Sequence, residues 1–199
     1  MDQMWEKIKM LADSGNGFVR TSQVERAGIS RPMLKKYVDS GKLERVRKGI
    51  YVTTDGIADE YALLQAQSAK AVFSYGTALY LWGMSDRIPH FIDITIPHGT
   101  NMTTIKRNNE NLRCHYVQLG LYDLGITETV SPQGAAVLLY DRERCICDLI
   151  RDKEQTEMQL YSQSIKEYFR KEPNSRKLLK YGKVFGVDEK IRTYIEVLL

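Results

Sequence analysis

The sequence predicts an α+β protein in which an N-terminal winged helix-turn-helix precedes a mixed α/β domain that ends in several helices. Two observations predict this class. Residues 1–54 carry the order helix, helix, glycine turn, helix and basic hairpin. Residues 55–199 alternate helical and strand patterns, and after residue 141 every pattern is helical. We therefore expect a DNA-binding domain over 1–54 and a second domain over 55–199.

The composition supports a folded protein with one basic end. The chain has 199 residues, of which 43% are hydrophobic and 27% charged, which is typical of a globular protein and argues against disorder. Its net charge of +4 is uneven: residues 1–54 hold eleven Lys and Arg against six Asp and Glu, and the remainder holds eighteen against nineteen. This split indicates that the N-terminal part contacts phosphate groups.

The sequence predicts a cytoplasmic protein with reduced thiols. The N-terminus lacks an apolar signal core, and no stretch approaches the roughly 20 apolar residues of a membrane span. The cysteines are Cys114, Cys145 and Cys147, an odd number without a CxxC pair. This pattern argues against structural disulfides and a cysteine zinc site, and buried thiols are the expectation.

The first two helices and a turn are predicted from local signals. An apolar repeat over residues 5–11 predicts the first helix, which the polar loop 13–17 ends. Thr21 or Ser22 is a natural N-cap for a short second helix. Gly28 then stands where a left-handed residue commonly ends a helix. These signals predict the first half of a helix-turn-helix.

A third helix and a hairpin follow the turn. Ser30 is expected to cap the third helix, with Pro32 in its first turn. Residues 43–46 and 49–52 predict two strands, and the basic bend Arg47-Lys48-Gly49 joins them. A recognition helix followed by a hairpin wing is an arrangement that binds double-stranded DNA.

The expected DNA contacts lie on the second helix, the third helix and the wing. They are Thr21, Ser22, Ser30, Arg31, Lys35, Lys36, Arg45, Arg47 and Lys48. Ser30, Arg31 and Lys35 are expected to reach base edges in the major groove, while Lys36 contacts phosphate. The wing cations are expected on an adjacent minor groove or on the DNA backbone. For any single cation a solvated surface position is an equally good interpretation, and the agreement between element order, caps and charge favours DNA binding.

The second domain is predicted as strands between helices, followed by helices alone. The elements expected before residue 141 are helices at 57–70 and 74–83, strands at 91–96, 114–119, 127–130 and 136–140, and a loop at 101–111. The elements expected after it are helices at 142–151, with Asp141 as the N-cap, and at 155–171, 175–185 and 188–199. Alternation over 91–96 is expected to bury Ile92, Ile94 and Ile96 on one face.

The sequence does not predict an enzyme, a metal site or a cofactor. His90 and His98 stand at opposite ends of one predicted strand, and no carboxylate or cysteine completes a ligand set with them. Asp93, Glu110 and Asp141 could be imagined as nuclease carboxylates, but the spaced lysine of such a motif is missing. Asp93 is instead expected on an exposed strand face. Glycine-rich phosphate loops and a GxSxG motif are absent as well.

Along nearly its whole length the sequence resembles the AbiEi antitoxins of bacterial type IV abortive-infection toxin–antitoxin systems. The segments that carry the resemblance are Val46-Arg47-Lys48-Gly49-Ile50-Tyr51, Tyr75-Gly76-Thr77-Ala78-Leu79-Tyr80-Leu81-Trp82-Gly83-Met84-Ser85-Asp86, Ile94-Thr95-Ile96-Pro97-His98-Gly99 and Asp141-Arg142-Glu143-Arg144-Cys145-Ile146-Cys147-Asp148-Leu149-Ile150-Arg151. In the last of these, Cys145 stands where the family has Thr.

The resemblance implies a protein with two functions. The winged helix would repress its own operon by binding an inverted-repeat operator, which two copies would read. The C-terminal domain would counter a nucleotidyltransferase-like toxin without forming a stable complex. Two alternatives remain open at the level of the sequence: a winged-helix regulator with a ligand-sensing C-terminal domain, and a nuclease or transferase that the winged helix delivers to DNA.

Overall fold

The computed structural model describes residues 2–199, and the chain divides into two compact units. The first unit runs to Ala69 and includes Val130–Val137. The second unit comprises Lys70–Thr129 and Leu138–Leu199. The first unit thus continues beyond residue 54, where the sequence pattern placed the end of the DNA-binding domain.

The first unit is a set of short helices with a small antiparallel sheet. Its elements are α1 (Gln3–Ser14), β1 (Phe18–Arg20), α2 (Thr21–Arg26), α3 (Arg31–Asp39), β2 (Leu43–Arg47), β3 (Ile50–Thr53) and α4 (Glu60–Gln67). The sheet has the order β1-β3-β2, and both pairings are antiparallel. The three helices and the hairpin therefore follow one another as expected, and β1 adds a third strand to the two that the sequence pattern predicts.

One hydrophobic cluster holds these elements together. Its buried members come from α1, β1, α2, α3 and β2 and from the turn before α3; they are Ile8, Ala12, Val19, Val24, Ile29, Leu34, Tyr37 and Leu43. Trp5 and Tyr51 pack against the cluster from its edge. Because each helix contributes its apolar side to this cluster, the charged sides of α2 and α3 face outward.

The turn between α2 and α3 has the geometry that Gly28 predicts. Gly28 has a φ of 82°, and its N–H donates to the carbonyl of Glu25. The N–H of Ile29 donates to the carbonyl of Val24, and both of these side chains are buried in the cluster. This pair of bonds with an apolar contact is a Schellman motif, which fixes the angle at which α3 leaves α2.

The N-cap of α2 differs from the expectation. The helix begins at Thr21, so Thr21 and Ser22 are its first two residues and Arg20 is the N-cap. The Gln23 side chain reaches back and accepts a hydrogen bond from the Arg20 N–H at 2.8 Å. Since glutamine supplies this capping contact, the hydroxyls of Thr21 and Ser22 are not needed to cap the helix.

Contacts around Asp59 explain why the first unit extends through α4. The Asp59 N–H donates to the carbonyl of Asn16, and its carboxylate caps α4 by accepting from the N–H groups of Tyr61 and Ala62. The same carboxylate accepts a hydrogen bond from the Ser131 hydroxyl. The helix expected at 57–70 exists, but it is confined to α4 because this cap starts it later.

The second unit contains a mixed sheet and most of the helices. Its elements are β4 (Val72–Phe73), α5 (Tyr75–Leu81), β5 (Ile92–Pro97), α6 (Thr103–Asn108), β6 (Leu112–Val117), α7 (Leu119–Tyr122), β7 (Ile126–Val130), β8 (Ala136–Tyr140), α8 (Arg142–Arg151), α9 (Met158–Arg170), α10 (Ser175–Phe185) and α11 (Asp188–Leu198), with a 3-10 turn at Lys153–Gln155. The strand order is β6-β5-β4-β8-β7. The last residue of β7 and the first two residues of β8 are grouped with the first unit. β4 pairs antiparallel with β5, and the β5–β6 and β4–β8 pairs are parallel. The predicted α+β class is confirmed.

Two expectations for the second unit were wrong. The segment 101–111 is not a plain loop, because it contains the helix α6. Ile105 is the buried residue of this otherwise polar helix. The strand expected to bury one face at 91–96 is β5, which is buried on both faces. Asp93 is consequently 5% exposed instead of lying on an open face.

The Asp141 cap is confirmed, and the helix that it begins forms the centre of the second unit. The Asp141 carboxylate accepts from the Arg144 N–H at 2.8 Å, and every residue from Glu143 to Ile150 is buried. Arg144, which is 1% exposed, donates to Asp148 at 2.8 Å. Burial raises the pKa of Asp148, although the guanidinium groups of Arg144 and Arg151 oppose this shift.

No helix within residues 2–199 is both long enough and apolar enough to cross a membrane.

Candidate nucleic-acid interface

The exposed side of α3 carries its cations. Leu34 and Tyr37 face the core, and the Tyr37 hydroxyl donates to Asp2 at 2.8 Å. On the outer side, Arg31 and Lys35 are exposed and one helical turn apart. Like charges at this spacing destabilise a free helix by roughly 0.2–0.5 kcal/mol, which a bound anion would reverse. This side of α3 therefore has the chemistry of an anion-binding surface.

Arg31 has an acidic neighbour on the preceding helix. Its Nε lies 2.6 Å from Glu25 Oε1, and this pair is exposed. An exposed ion pair contributes at most about 1 kcal/mol, so Arg31 can exchange it for a base edge or a phosphate at small cost. The ion pair with Glu25 thus orients the Arg31 guanidinium at the start of α3, and it is weak enough to be replaced by a ligand.

Ser30 and Lys36 lie where the sequence placed them on α3. Ser30 is the N-cap residue, and its carbonyl accepts from the N–H groups of Met33 and Leu34. Its hydroxyl makes no capping hydrogen bond and is available to a ligand. Lys36 is exposed. The start of α3 therefore presents one hydroxyl together with the Arg31, Lys35 and Lys36 cations.

The β2–β3 hairpin supplies a second group of cations. Arg45 pairs with Tyr51 and Arg47 pairs with Ile50, so Val46 is the extra residue of a β-bulge. Arg45, Arg47 and Lys48 are exposed. Within residues 2–199, none of these three side chains takes part in an ion pair or a side-chain hydrogen bond. Their donors are therefore unused in the isolated protein.

The start of α2 and the tip of the hairpin enclose a shallow concavity. The N–H of Thr21 donates to the carbonyl of Gly49 at 2.9 Å, which ties the two elements together. The concavity has a volume of about 480 Å³, and its lining includes Arg20, Thr21, Ser22, Arg47 and Lys48. The structure thus brings together two hydroxyls and two cations that the sequence singled out separately.

Arg20 is the functional candidate that sequence reasoning missed. It is the last residue of β1, and it lies exposed beside the Thr21 and Ser22 hydroxyls. The available signal was its position directly before a helix whose first residues were already expected to contact DNA. The burial pattern of β1 is inward at Phe18 and Val19 and outward at Arg20, and only the strand pairing reveals it.

The nine predicted contacts form two groups on the first unit. One group is Ser30, Arg31, Lys35 and Lys36 on α3 and its N-cap position, and the other is Thr21, Ser22, Arg47 and Lys48 around the concavity, with Arg45 on the adjoining strand.

Residues 2–199 contain no cluster of three or more His, Cys, Asp or Glu side chains that could hold a metal ion.

The comparisons with known proteins give a family match at the N-terminus and a similarity in fold over most of the chain. Residues 6–54 match the family model described as "Transcriptional regulator, AbiEi antitoxin", which confirms the resemblance to AbiEi-type antitoxins of abortive-infection systems over that segment. The crystal structure of the RV2827C protein from Mycobacterium tuberculosis is similar in fold, with a TM-score of 0.64 at 14% identity over 90% of this chain and 71% of that chain. No curated protein matches the sequence.

Proposed function

We propose that this protein is a type IV antitoxin that also represses its own operon. In this proposal residues 1–54 form a winged helix-turn-helix that binds an inverted-repeat operator as two copies. The second unit counters a nucleotidyltransferase-like toxin without a stable complex. The protein has no catalytic role of its own in this scheme.

The observation that carries the DNA-binding half is the set of exposed, unused cations on α3 and the hairpin. Arg45, Arg47 and Lys48 have no acidic partner within residues 2–199, and they adjoin a helix whose outer side carries Arg31 and Lys35. Such cations release counterions when they meet phosphate, so they favour DNA strongly at low salt. The first turns of α3 would read base edges in the major groove, and the hairpin tip would contact the adjoining backbone or minor groove.

The antitoxin half is supported by the family match and by the division of the chain. The matched family combines transcriptional regulation with antitoxin activity, and the match ends at residue 54. Most of the remaining residues, 70–129 and 138–199, form a second compact unit with its own core. A second unit of this kind is free to carry the activity against a toxin while the first unit binds the operator.

The experiment compares three full-length proteins on DNA from the promoter of the protein's own operon. They are the wild type, the Arg47→Ala/Lys48→Ala double variant, and the Lys180→Ala/Lys183→Ala double variant, which removes the same charge from exposed positions on α10. We expect the hairpin variant to bind at least about tenfold more weakly and to lower the salt slope of log K by about 1.8, since each phosphate contact contributes about 0.9. Unchanged binding by the hairpin variant would remove the hairpin from the interface.

The same three proteins test the antitoxin half in cells. Each is co-expressed from a foreign promoter with the nucleotidyltransferase-like toxin gene that the proposal expects in the same operon, and growth is scored. All three are expected to restore growth, because neutralisation does not use the hairpin cations. Failure of the wild type would refute the antitoxin activity and would leave operator binding standing. Loss of rescue in the hairpin variant alone would show that neutralisation needs DNA binding.

A further inference from the structure

The second unit contains a cavity that the proposed function does not use. Its volume is about 630 Å³, within the range of about 300–1,000 Å³ that is typical of small-molecule sites. Its walls come from the first turn of α5, the segment 87–91, the neighbouring strands β5 and β6, and the end of α8 with the start of α9. Pro89, Leu149 and Leu160 supply apolar surface, and the remaining lining is rich in charged and aromatic side chains.

A buried carboxylate lies inside this cavity. Asp93 Oδ1 is 2.8 Å from His115 Nε2. Asp93 Oδ2 has no hydrogen-bond partner within residues 2–199, and it faces Gly76: a Cβ atom added there would lie 3.2 Å from it. The absence of a side chain at Gly76 therefore leaves room beside a free acceptor, which suits a ligand that donates a hydrogen bond.

The aromatic wall beside this carboxylate is held in a strained conformation. The Tyr75 ring stacks on the His115 ring with centroids 4.0 Å apart. Its hydroxyl donates to Asp152 at 2.5 Å and accepts from Arg151 at 2.8 Å. Tyr75 also has a φ of 44°, a left-handed conformation that costs an aromatic residue about 1–2 kcal/mol. Strain of this kind is concentrated at ligand sites, where the surrounding fold holds one side chain in a set position.

A guanidinium group with spare donors stands at the opening. Arg113 lies 4.3 Å from the Phe91 ring centroid and 3.7 Å from Asp93 Oδ1, which is beyond hydrogen-bond distance. Its side chain is 50% exposed. By contrast, Arg87 uses both terminal nitrogens, on Glu157 and Gln159. Arg113 is therefore the cation that can meet an anionic group of a ligand.

We propose that this cavity binds a nucleoside monophosphate, with the phosphate on Arg113 and the base against the Tyr75–His115 wall. The base or the ribose would donate a hydrogen bond to Asp93 Oδ2. Inorganic phosphate would leave the aromatic wall and the carboxylate unused, and a bare nucleoside would leave Arg113 unused. A planar ring, a hydrogen-bond donor and a phosphate together match the three features of the cavity.

The test is calorimetric titration of the full-length protein with AMP, GMP, CMP and UMP, and with adenosine and inorganic phosphate as the separate parts. We expect at least one monophosphate to bind about tenfold or more tightly than either part, a difference of about 1.4 kcal/mol. Absence of binding by all four monophosphates at about 1 mM would overturn the proposal. Equal binding of phosphate alone would overturn it as well, because the wall and the carboxylate would then play no role.

Two variants locate the ligand, and a third is the control. Arg113→Gln removes the cation at the opening, and Gly76→Ala fills the space beside Asp93 Oδ2, Leu160 and Pro89. Alanine is tolerated in a helix such as α5, so this variant should fold. Each is expected to weaken monophosphate binding about tenfold, whereas Arg107→Gln, at an exposed position on α6, should not change it. Undiminished binding in both cavity variants would place the ligand elsewhere.

Discussion

Arginines in the two units have opposite surroundings. Arg47 at the hairpin tip is exposed and has no acidic partner within residues 2–199. Arg144 in α8 is 1% exposed, donates to Asp148, and donates from Nη1 to the carbonyls of Leu121 and Leu124. The N–H donors of Arg47 are available to another molecule, whereas Arg144 uses its donors in hydrogen bonds within the second unit. The number of basic residues in a segment therefore says less about binding than their partners do.

The resemblance segments divide in the same way. The segment Val46–Tyr51 forms the hairpin tip and exposes its cations. The segment Asp141–Arg151 is the buried helix α8 with its cap, and its Asp148 forms ion pairs with Arg144 and Arg151. Similarity in the first segment points to a surface that meets a ligand. Similarity in the second is explained by the need to satisfy buried charges, without any appeal to a binding site.

The largest expected effect comes from removing the buried arginine. Arg144→Met should destabilise the second unit by about 3–5 kcal/mol, because it leaves Asp148 and two backbone carbonyls without their main donor. Arg47→Met should change stability by no more than about 0.5 kcal/mol. Urea unfolding in a Trp5→Phe background follows Trp82 and so reports the second unit, since the chain contains two tryptophans.

A further variant separates buried charge from lost packing. Arg144→Met leaves the Asp148 carboxylate without its ion-pair partner. Adding Asp148→Asn removes that carboxylate, so part of the lost stability should return. If the double variant is as unstable as the sum of the two single changes, the ion pair is not what holds this helix in place, and the contrast with Arg47 fails.

Two glycines with positive φ, one in each unit, allow a second comparison of the units, with a smaller expected effect on stability. Gly28, in the turn before α3, has a φ of 82° and no atom within 4 Å of an added Cβ. Gly125 has a φ of 89°, and an added Cβ would lie 2.9 Å from the Arg144 Cβ and 3.1 Å from Asp141 Oδ2. Gly28→Ala should cost only the backbone strain of about 1–2 kcal/mol, and Gly125→Ala should cost about 1–3 kcal/mol more. Thermal unfolding of the two variants measures the difference, and equal losses would contradict the tight packing around Arg144.

Local signals allowed much of the fold to be predicted. Four features depend on a few neighbouring residues and are found where expected: the Gly28 turn, the Pro32 helix start, the basic bend of the hairpin and the Asp141 cap. Two other local predictions were wrong, because α4 starts later than expected and Arg20 is the N-cap of α2. The chemistry of such turns and caps is set within about four residues, so one sequence contains it.

Contacts between distant residues could not be predicted in the same way. Asp93 meets His115 only because β5 and β6 are parallel neighbours in a sheet whose strand order departs from chain order. Tyr75 meets Asp152 from a helix far earlier in the chain. Strand alternation gave the wrong exposure for Asp93, because it assumes that one face of the strand is open. The cavity in the second unit therefore became visible only with the topology.

The smallest expected effect is a difference in alkaline stability between the units. In the second unit, burial raises the pKa values of Tyr75, Tyr122, Tyr140, Tyr161, Tyr168 and Tyr181. In the first unit, which contains three tyrosines, burial raises the pKa of Tyr37 to about 12. A phenol whose pKa is raised in the folded state does not change the stability well below pH of about 10, where it is neutral in both the folded and the unfolded chain.

Above that pH the unfolded chain loses these protons first, so stability falls as the pH rises toward the folded pKa values. The six phenols of the second unit outnumber all the tyrosines of the first unit, and the Cys147 thiol of the second unit, whose pKa burial raises to about 12, acts in the same direction. Between about pH 9 and pH 10.5 the urea midpoint read from Trp82 should therefore fall further than the midpoint read from Trp5 in a Trp82→Phe variant. An equal fall would mean that the buried hydroxyls of the second unit are not held away from solvent. The two units would then not differ in how far their polar side chains are buried.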